Sequence, residues 1–399
     1  MTRSQNSSLE TKKTDFAEYI LETLMATFSE FDAEMMAKAL RLAEQATFLA
    51  RPNPRVGCVI TQQNKIIGQG FHQCYGQAHA EINALNQARA AGHDVAGATA
   101  YVTLEPCSHT GQTGPCSQAL IDAGVAEVVV AMSDPNPQVN GRGINQLQQA
   151  GITVRTGLMA DSAAKLNQGF IKRMQTGRPW VTVKLAASVD GRTAMASGES
   201  KWITGPAARL DVQRLRARHD AIITGSGTVL ADHPSLNVRF ADWSTDDAPA
   251  TLQQFRQPLR VVIDRQGALP IDNSLFAIDS PIWWVGTNEV ATSLPSHIER
   301  KVFSENGLFD ELLQQLALHP CNDVLLEAGA ELAGQFVSAG LVDELVVYRA
   351  SSLMGSQARP LVELPLDKMA DKLELSQVEQ RMVGQDCRTT YRIIKQINT

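Results

Sequence analysis

The chain has 399 residues, a formal net charge of −6, 44% hydrophobic residues and 20% charged residues. This composition is ordinary for a globular protein with two or three domains. The acidic balance argues against a non-specific nucleic-acid binder, which needs clusters of Lys and Arg. The sequence contains no run of about 18 apolar residues, so we expect no membrane span. Six cysteines do not make a disulfide framework, which favours reduced thiols and a cytoplasmic location.

The first 31 residues differ in composition from the rest of the chain. Residues 1–14 are rich in Ser, Thr, Asn and Lys and lack the apolar stretch of a secretory signal. Apolar residues recur at near-helical spacing from Phe16 to Phe31, which predicts a loosely attached helix. We therefore treat residues 1–31 as a flexible extension with no assigned chemistry and start the first domain at Asp32.

Strands and helices alternate in the first domain, as in a layered α/β sheet. Helices are predicted to start near His79 and at Pro115, because apolar residues then recur at helical spacing and proline suits a helix start. Buried strands and a hairpin are predicted at Arg55–Ile60, Lys65–Gly70, Ala98–Leu104 and Ala126–Ala131.

A short motif in this domain predicts a catalytic zinc site. His79 and Glu81 are followed by Cys107 and Cys116, each cysteine coming directly after a proline. One His and two Cys ligands leave the fourth position of a tetrahedral zinc ion to water, as in catalytic sites. The order matches the H-x-E…P-C…C pattern of zinc deaminases, in which the Glu transfers protons without binding metal. We therefore predict His79, Cys107 and Cys116 as zinc ligands and Glu81 as the catalytic residue. Two ligands would lie at helix starts, whose N–H groups stabilise thiolate.

Several other interpretations of this motif remain open. Eight residues separate the cysteines, whereas the general pattern has two, so these residues could instead be buried thiols and a surface histidine. A structural zinc module would need a fourth ligand, which Cys74 or His109 could supply. A nucleic-acid editing deaminase would share the zinc site, but it usually carries a basic patch and has no use for a second domain.

Turn-forming residues separate the first domain from a second one. Asp134–Pro137 and Asn140–Gly143 are rich in Pro, Asn and Gly, and another turn signal covers Gln175–Pro179. We therefore predict a zinc deaminase domain at residues 32–175 and a second α/β domain at residues 176–399. In the second domain, strands are predicted at Trp180–Leu185, Ala221–Thr224, Leu259–Asp264, Ile282–Val285, Val324–Glu327 and Leu345–Ala350, and helices at Pro206–Arg218, Leu308–Leu318 and Glu331–Ala339.

Two glycine turns in the second domain follow predicted strands. The strand Val324–Glu327 leads into Gly329 and a helix, and Thr224–Thr228 has a similar arrangement. Free N–H groups at such a helix start suit a ligand phosphate. Neither turn is G-x-G-x-x-G, and a tight turn without a ligand is an equally good interpretation.

Seven motifs, in order along both domains, carry a resemblance to a known family. They are Pro52–Gly57, His79–Glu81, Thr103–His109, Asp134–Pro137, Lys184–Arg192, Gly198–Thr204 and Thr228–Asp232. From about Asp32 onward the chain resembles the bifunctional deaminase/reductase family of bacterial riboflavin biosynthesis. The long spacing between the two cysteines is that family's own.

The resemblance implies an N-terminal cytidine-deaminase-like three-layer α/β/α domain and a C-terminal dihydrofolate-reductase-like α/β domain. The first domain would use Zn²⁺ to remove the 2-amino group of 2,5-diamino-6-(5-phosphoribosylamino)pyrimidin-4(3H)-one, with Glu81 moving protons. The second would reduce the ribosyl group of the product with NADPH. Asn53 and His109 would help to hold the substrate. The partners expected are therefore small-molecule pyrimidine ribose phosphates, with no nucleic acid and no membrane, and we expect a homo-oligomer.

The resemblance also places residues of the reductase site. Arg216 and Arg239 suit a ribosyl phosphate because guanidinium pairs with phosphate through two hydrogen bonds, although an Arg on a helix or strand is usually only solvated. Arg265, at a strand end, is a candidate partner for the 2′-phosphate of NADPH, and a structural role for it is equally possible. The cofactor positions are Ala186, Trp202, Thr228, Asp232, Arg265, Gly329, Ala330, Glu331, Leu332, Ala333, Gly334 and Gln335. The substrate positions are Ser200, Arg216, Leu236, Arg239 and Glu327.

A few positions depart from the common pattern of the family. Gln112 and Gly114, between the cysteines, stand where Arg and Pro are usual, so these departures concern substrate binding rather than metal binding. In the second domain His233 and Asn237 replace an Asp and a Thr. None of these changes removes a zinc ligand or the proton-transferring Glu, and both glycine turns are intact, which argues against a decayed reductase.

Overall fold

A computed structural model describes residues 28–108, 114–137, 139–240, 243, 254–290 and 293–394. These residues form two compact units, one built from residues 28–50 and Pro54–Asn167 and the other from Arg51–Asn53 and residues 168–394. No helix in this part of the chain is long and apolar enough to cross a membrane. His109, Gln112 and most of the predicted helix Phe16–Phe31 lie outside the described residues.

A five-stranded mixed sheet forms the centre of the first unit. Strand β1 lies between β2 and β3 and is antiparallel to both, whereas β3, β4 and β5 are parallel, giving the order β2-β1-β3-β4-β5. The strands are β1 (Gly57–Gln62), β2 (Lys65–Phe71), β3 (Thr99–Val102), β4 (Glu127–Val130) and β5 (Thr153–Thr156).

Helices cover both faces of this sheet, so the predicted three-layer α/β/α architecture is confirmed. Successive strand residues point to opposite faces; Val59 packs with α1 and α5, while its neighbour Cys58 packs with α2, α3 and α4. The helices are α1 (Glu30–Glu44), α2 (Ala80–Ala90), α3 (Cys116–Asp122), α4 (Arg142–Gln149) and α5 (Ala160–Leu166).

A nine-stranded sheet forms the centre of the second unit. Its order is β11-β10-β9-β8-β12-β6-β13-β16-β15, in which all neighbours are parallel except β13–β16 and β16–β15. The strands, with a separate small pair β7 and β14, are β6 (Trp180–Ala187), β7 (Arg192–Ala194), β8 (Ala221–Gly225), β9 (Leu259–Ile263), β10 (Ile282–Gly286), β11 (Ile298–Val302), β12 (Asp323–Glu327), β13 (Glu344–Arg349), β14 (Arg359–Pro360), β15 (Leu375–Val383) and β16 (Asp386–Ile393).

Helices also pack on both faces of the second sheet, and two apolar clusters fill the space between the layers. One cluster gathers the helices α9 and α10, and the other gathers α7 and α8. The helices of this unit are α6 (Gln168–Thr176), α7 (Pro206–Ala217), α8 (Ser226–Asp232), α9 (Leu308–Leu318) and α10 (Ala330–Ser338). Every strand and helix predicted for this half is present within one or two residues.

The antiparallel hairpin of β15 and β16 was not predicted from the sequence. All residues of β15 except Val383 are exposed, so the strand has no buried face to produce an apolar alternation. Strand β16 continues the parallel sheet through its pairing with β13. Strand β15 therefore carries no hydrophobic alternation from which the hairpin could be predicted.

Helix α6 belongs to the second unit, whereas the boundary predicted after residue 175 assigned it to the first. It packs on β6, and Gln168 at its start accepts a hydrogen bond from Arg392 on β16, 2.6 Å away. Arg173 in the same helix donates to Asn322 Oδ1 over 2.7 Å. The compact units therefore divide one helix earlier than the turn signals indicate. At the other end of the first unit, Ser29 caps α1, so Glu30 and Phe31 of the predicted extension belong to that helix.

A buried carboxylate ties the start of α1 to the first sheet. Asp32 accepts hydrogen bonds from Tyr101 Oη at 2.7 Å and from both terminal nitrogens of Arg155 at 3.0 and 3.2 Å. It also accepts the Ser29 N–H, while Ser29 Oγ accepts the Asp32 N–H, which closes a capping box. Burial alone would raise the pKa of Asp32, but the Arg155 and Tyr101 hydrogen bonds hold it below its usual value.

We expect Asp32→Asn to lower the free energy of unfolding of the first unit by about 1–3 kcal/mol at pH 7, because buried donors lose their anionic acceptor. The folded-state pKa of Asp32 lies below its unfolded value. Its contribution is therefore complete above about pH 4 and is lost as the pH falls further. Denaturant unfolding between pH 7 and pH 2 measures both effects. Glu34→Gln, an exposed change on the same helix, is the control; a deficit equal for both variants or independent of pH would contradict this account.

Candidate active sites

The predicted metal ligands come from three separate segments of the first unit. His79 is the N-cap residue of α2, and Cys116 is the first residue of α3, so two ligands lie at helix starts as predicted. Cys107 follows the end of β3, in the segment that leaves the sheet. The ligand atoms of all three residues lie within 4.8 Å of one another.

The distances among these atoms fit a single tetrahedral metal ion. His79 Nδ1 lies 3.6 Å from Cys107 Sγ and 3.3 Å from Cys116 Sγ. With Zn–S and Zn–N bonds of about 2.3 and 2.0 Å, a tetrahedral zinc separates sulfur from nitrogen by about 3.5 Å. Two thiols and one imidazole nitrogen are also the donors that zinc prefers. The residues present therefore fit zinc, with Nδ1 as the histidine donor.

The fourth ligand that a structural zinc module requires is not found among the described residues. The cluster contains His79, Cys107 and Cys116 only, so Cys74, one of the two candidates, is not part of it. His109, the other candidate, lies outside the described residues. The three-ligand arrangement is the one that leaves a position for water.

Glu81 lies in the first turn of α2, buried beside the cluster. Its carboxyl group interacts with the Cys116 thiol through a hydrogen bond. Burial, and after it the negative charge of Cys107, raises the pKa of Glu81 to about 7. A carboxyl group with a pKa close to neutrality can both accept and donate a proton at physiological pH.

The pKa values of the two thiols shift in opposite directions. The N–H group at the start of α3 donates to Cys107, although Cys116 is the residue at that helix start. The backbone N–H of Cys116 donates to Cys107 Sγ over 3.3 Å. Hydrogen bonds from the Cys116 thiol, and also from His79 and this N–H, hold the pKa of Cys107 below its usual value. The pKa of Cys116 is raised, chiefly by its hydrogen bond to Cys107 and by burial. The start of α3 thus stabilises the thiolate of Cys107 rather than its own.

His72 is a neighbour of the cluster that sequence analysis did not single out. Its ring lies edge-on to the ring of His79, with the ring centroids 5.2 Å apart, and its Nδ1 lies 3.2 Å from the Ala78 carbonyl oxygen. Burial lowers the pKa of His72, which favours the neutral imidazole. A neutral ring packed in this way holds His79 in place without adding charge beside the ligands.

In the second unit, three of the predicted substrate positions come together at the carboxyl end of β12. Arg216 on α7 donates from Nε and Nη2 to the two carboxylate oxygens of Glu327, over 2.6 and 2.9 Å. Its Nη1 donates to the Asn237 carbonyl oxygen over 3.2 Å, beside Leu236. Burial would raise the pKa of Glu327, but the Arg216 charge lowers it. Arg216 is therefore a buried partner of a carboxylate, not a solvated surface residue.

Lys184, which sequence analysis did not assign to the site, lies next to this ion pair. It stands opposite Glu327 in the ladder between β6 and β12. Burial lowers the pKa of Lys184, although the charge of Glu327 acts in the opposite direction. The motif Lys184–Arg192 includes the end of this strand. The pairing of β6 with β12 is what identifies Lys184 as the residue opposite Glu327.

The remaining substrate positions, with two cofactor positions, lie on the segments that flank α7 and α8. Ser200 Oγ donates to Asp232 Oδ1 over 3.0 Å, at the end of α8. Trp202 is 71% exposed, and the Arg209 guanidinium stacks over its ring at 4.6 Å. Arg239 is exposed, with Nη1 3.3 Å from Ser235 Oγ.

The two predicted glycine turns lie side by side at the carboxyl ends of parallel strands. Gly225 ends β8 and is the N-cap of α8, while Gly329 follows β12 and is the N-cap of α10. A Cβ on Gly225 would lie 3.2 Å from Leu332 of α10, whereas one on Gly329 would meet nothing within 4 Å. In open α/β sheets, ligands bind in the crevice at this edge. Ala186 near the end of β6 and Thr228 in α8 are half-buried.

The segment Gly329–Gln335 contains both accessible and buried positions. Gly329 and Glu331 are exposed, Leu332 and Gln335 are half-buried, and Ala330, Ala333 and Gly334 are buried. A Cβ on Gly334 would lie 1.9 Å from the Glu363 carbonyl oxygen, so packing alone requires glycine there. The side chains open to a ligand are therefore those of the first turn and of Gln335.

Arg265 lies at the same edge of the sheet, directly after the last residues of β9. Its Nη2 donates to Gln335 Oε1 over 3.1 Å, and its guanidinium lies over the Phe309 ring at 5.3 Å. The residue is exposed. These contacts hold a positive charge beside α10, within the second unit.

The preceding residue, Asp264, is buried and holds the segment after β9 in place through hydrogen bonds. It is 1% exposed and accepts the N–H groups of Ala268 and Leu269 and the Trp284 Nε1 proton over 2.9 to 3.1 Å.

Two family models match the chain in the order of the two units. The cytidine and deoxycytidylate deaminase zinc-binding region matches residues 29–132, which include all three metal-ligand candidates and Glu81. The RibD C-terminal domain matches residues 179–387, which include every predicted cofactor and substrate position of the second domain. The match accounts for more than half of the chain.

Relatives and solved structures match the two halves together. The riboflavin biosynthesis protein RibD of Escherichia coli is 50% identical over 360 residues, covering 89% of this chain and 97% of the relative. That of Haemophilus influenzae is 47% identical over 377 residues, covering 92% and 99%. The structure of RibD from Acinetobacter baumannii matches with a TM-score of 0.84 at 43% identity, covering 92% of this chain and 99% of the other.

A second structure carries the names of both activities. A protein of Thermotoga maritima, named diaminohydroxyphosphoribosylaminopyrimidine deaminase/5-amino-6-(5-phosphoribosylamino)uracil reductase, matches with a TM-score of 0.81 at 30% identity, covering 91% of this chain and 99% of the other. Because the relatives are matched along nearly their whole length and both domain models are found in order, the chain belongs to the RibD family and is a riboflavin-biosynthesis enzyme with a deaminase domain followed by a reductase domain.

Proposed function

We propose that the first domain deaminates 2,5-diamino-6-(5-phosphoribosylamino)pyrimidin-4(3H)-one with zinc, and that the second reduces 5-amino-6-(5-phosphoribosylamino)uracil to the ribitylamino compound with NADPH. The observation that carries this proposal is the convergence of His79, Cys107 and Cys116 beside the buried carboxyl group of Glu81. The activities in the name of the Thermotoga maritima protein supply the substrates.

In the deaminase site, His79 Nδ1 and the two cysteine sulfurs would hold zinc, which when bound lowers the pKa of a water molecule. Glu81 accepts a proton from that water, whose oxygen forms a bond to the ring carbon that carries the amino group, and delivers the proton to the ring nitrogen. It then helps to protonate the amino group as the bond from ring carbon to nitrogen breaks and ammonia leaves. Burial, which raises the pKa of Glu81 above its usual value, suits a group that must both take and return a proton.

In the reductase site, NADPH when bound would supply a hydride to C1 of the sugar. The residues of the chain bind the cofactor and the substrate and align them with each other. N–H groups at the start of α10 and the glycine turn after β8 suit the pyrophosphate. The guanidinium of Arg216 already donates to Glu327 and to the Asn237 carbonyl oxygen. Of the two arginines proposed for the substrate phosphate, the exposed Arg239 is therefore the better placed. Arg216 then positions Glu327.

Incubation of the purified protein with the diaminopyrimidine ribose phosphate tests both steps at once. Without NADPH we expect release of ammonia and accumulation of the deaminated ribosyl compound. With NADPH we expect the ribityl compound and oxidation of one cofactor per molecule. Absence of ammonia release in the zinc-loaded protein would refute the deaminase assignment. The homo-oligomeric state and the cytoplasmic location stay predictions, and light scattering measures the former.

We expect Cys107→Ser to lose most of the bound zinc, since a hydroxyl is a much poorer ligand than a thiolate. Elemental analysis after dialysis measures one zinc per chain in the parent protein and the loss in the variant. Glu81→Gln is the matched comparison, because it keeps all three ligands. It should retain zinc while the deamination rate falls at least about a hundredfold. Undiminished tight binding by Cys107→Ser would defeat the ligand assignment.

The two activities should mutate independently, because each unit has its own sheet and its own set of candidate residues. Glu81→Gln is expected to reduce the already deaminated intermediate at a rate near that of the parent protein. NADPH oxidation with that intermediate as substrate measures it. A folded variant that has lost both activities would show that the two-site description is wrong.

Arg265→Ala should weaken NADPH binding and leave NADH binding nearly unchanged, because only NADPH carries the 2′-phosphate that a guanidinium pairs with. The expected loss is about 1.5–3 kcal/mol, or roughly tenfold or more in affinity. Titration of both nucleotides against the parent and the variant measures it, with NADH as the internal control. An equal loss for both nucleotides would mean that the residue supports α10 or the shared pyrophosphate instead.

A further inference from the structure

Glu105 is a buried carboxylate two residues before the ligand Cys107, and the proposed chemistry gives it no role. It is 3% exposed. Its Oε2 accepts the N–H groups of Asp134 and Gly141 at 3.1 and 3.0 Å, and its Oε1 accepts those of Gly143 and Ile144 at 2.9 and 3.2 Å. A single side chain therefore receives four backbone donors from a segment about thirty-five residues away in the chain.

The segment that Glu105 binds is the turn-rich loop and the start of α4. The N–H groups of Gly143 and Ile144 belong to the first turn of that helix, where no carbonyl of the helix is available to them. A carboxylate at a helix start is stabilised by the helix dipole as well as by the hydrogen bonds. The contact is thus a helix cap supplied by a different part of the chain.

The approach between these two segments is close enough to require glycine. A Cβ on Gly143 would lie 2.0 Å from the Pro106 carbonyl oxygen and 3.3 Å from Glu105 Oε1. Pro106 adds a fixed φ between Glu105 and Cys107. The backbone that leads into the metal ligand is therefore packed directly against the start of α4.

The other side of Cys107 is held through the same helix. Its carbonyl oxygen accepts the Ser117 N–H at 3.1 Å and lies 2.9 Å from Ser117 Oγ. Ser117 Oγ also lies 2.8 Å from Gln146 Oε1 in α4. Both the residue before Pro106 and the carbonyl of Cys107 are thus anchored, directly or through Ser117, on α4.

We propose that Glu105 is a positioning residue of the metal centre: its carboxylate anchors Pro106 and Cys107 on the start of α4, so that Cys107 Sγ is held at the place where it meets His79 and Cys116. This inference rests on the proposed zinc function of the first domain. It assigns a role to Glu105 and to the glycines of the loop that follows Asp134, none of which touches the cluster.

The variant Glu105→Gln tests the proposal with little change in volume. One carboxylate oxygen becomes an amide NH₂ that faces N–H donors, so two of the four hydrogen bonds are lost. Loss of a partner that orients a metal ligand typically weakens metal binding 10- to 100-fold. We therefore expect zinc affinity, measured by competition with a chromogenic chelator, to fall by about 10- to 100-fold.

A spectroscopic readout separates displacement of Cys107 from simple loss of stability. With saturating Co²⁺ in place of zinc, the thiolate-to-cobalt charge-transfer absorbance per bound cobalt should decrease in Glu105→Gln, because one thiolate is displaced. The control is Glu127→Gln, which makes the same chemical change in β4 of the same unit and removes the 2.6 Å ion pair with Arg155. It should lower the unfolding temperature and leave zinc affinity and the cobalt spectrum unchanged.

The outcomes distinguish this proposal from the function on which it rests. If the parent protein binds no zinc, or Cys107→Ser binds it normally, the zinc site itself is refuted. If Cys107→Ser loses zinc but folded Glu105→Gln binds it with the affinity and cobalt spectrum of the parent, the positioning role alone is overturned. Should Glu105→Gln not fold, Glu105→Asp keeps the charge on a shorter side chain, and an intermediate loss of affinity is expected. Parent-like affinity in the folded Asp variant equally overturns the proposal.

Discussion

The proposed zinc site of the deaminase half depends on bringing three candidate ligand atoms from three separate segments to within 4.8 Å of one another. A metal site tolerates little displacement, because bond lengths and angles at zinc vary by only a few tenths of an ångström. His79 meets this requirement through its place as the N-cap of α2, and Cys116 through its place as the first residue of α3. Helix starts are rigid positions because the following turns are packed on the sheet.

Cys107 has no helix of its own and must be held by other means. Cys107 lies beyond the carboxyl end of β3. The contacts of Glu105 and Ser117 tie the residues that follow this strand to α4. The cost of burying the Glu105 carboxylate is offset by four N–H donors, two of them at a helix start. The same principle operates at Asp32, where a buried carboxylate joins α1 to β3 and β5 through Tyr101 and Arg155.

The reductase half uses charge differently. Its half-buried carboxylate, Glu327, has full cationic partners, with Arg216 in bidentate contact and Lys184 opposite it in the sheet. A largely buried pair of this kind is expensive to form in the absence of further hydrogen bonds, which Asn237 supplies to Arg216. The ion pair lies at the carboxyl end of a parallel strand and beside two glycine turns, which is where α/β sheets bind ligands. Charge is thus concentrated at the edge where a substrate phosphate and a dinucleotide would lie.

Most of the secondary structure and a candidate metal site could be predicted from the sequence. The order and residue types of His79, Glu81, Cys107 and Cys116 are characteristic, and the strands from Trp180 to Glu327 are predicted because buried strands are continuous apolar runs. Which side chains contact one another depends on the tertiary structure. The exposed hairpin β15–β16, the transfer of α6 to the second unit, the Arg216–Glu327 pair and the four donors of Glu105 all depend on contacts between residues distant in the chain. Such contacts leave no periodic signal, because a hydrogen bond to a backbone N–H constrains position and not the type of residue that supplies it.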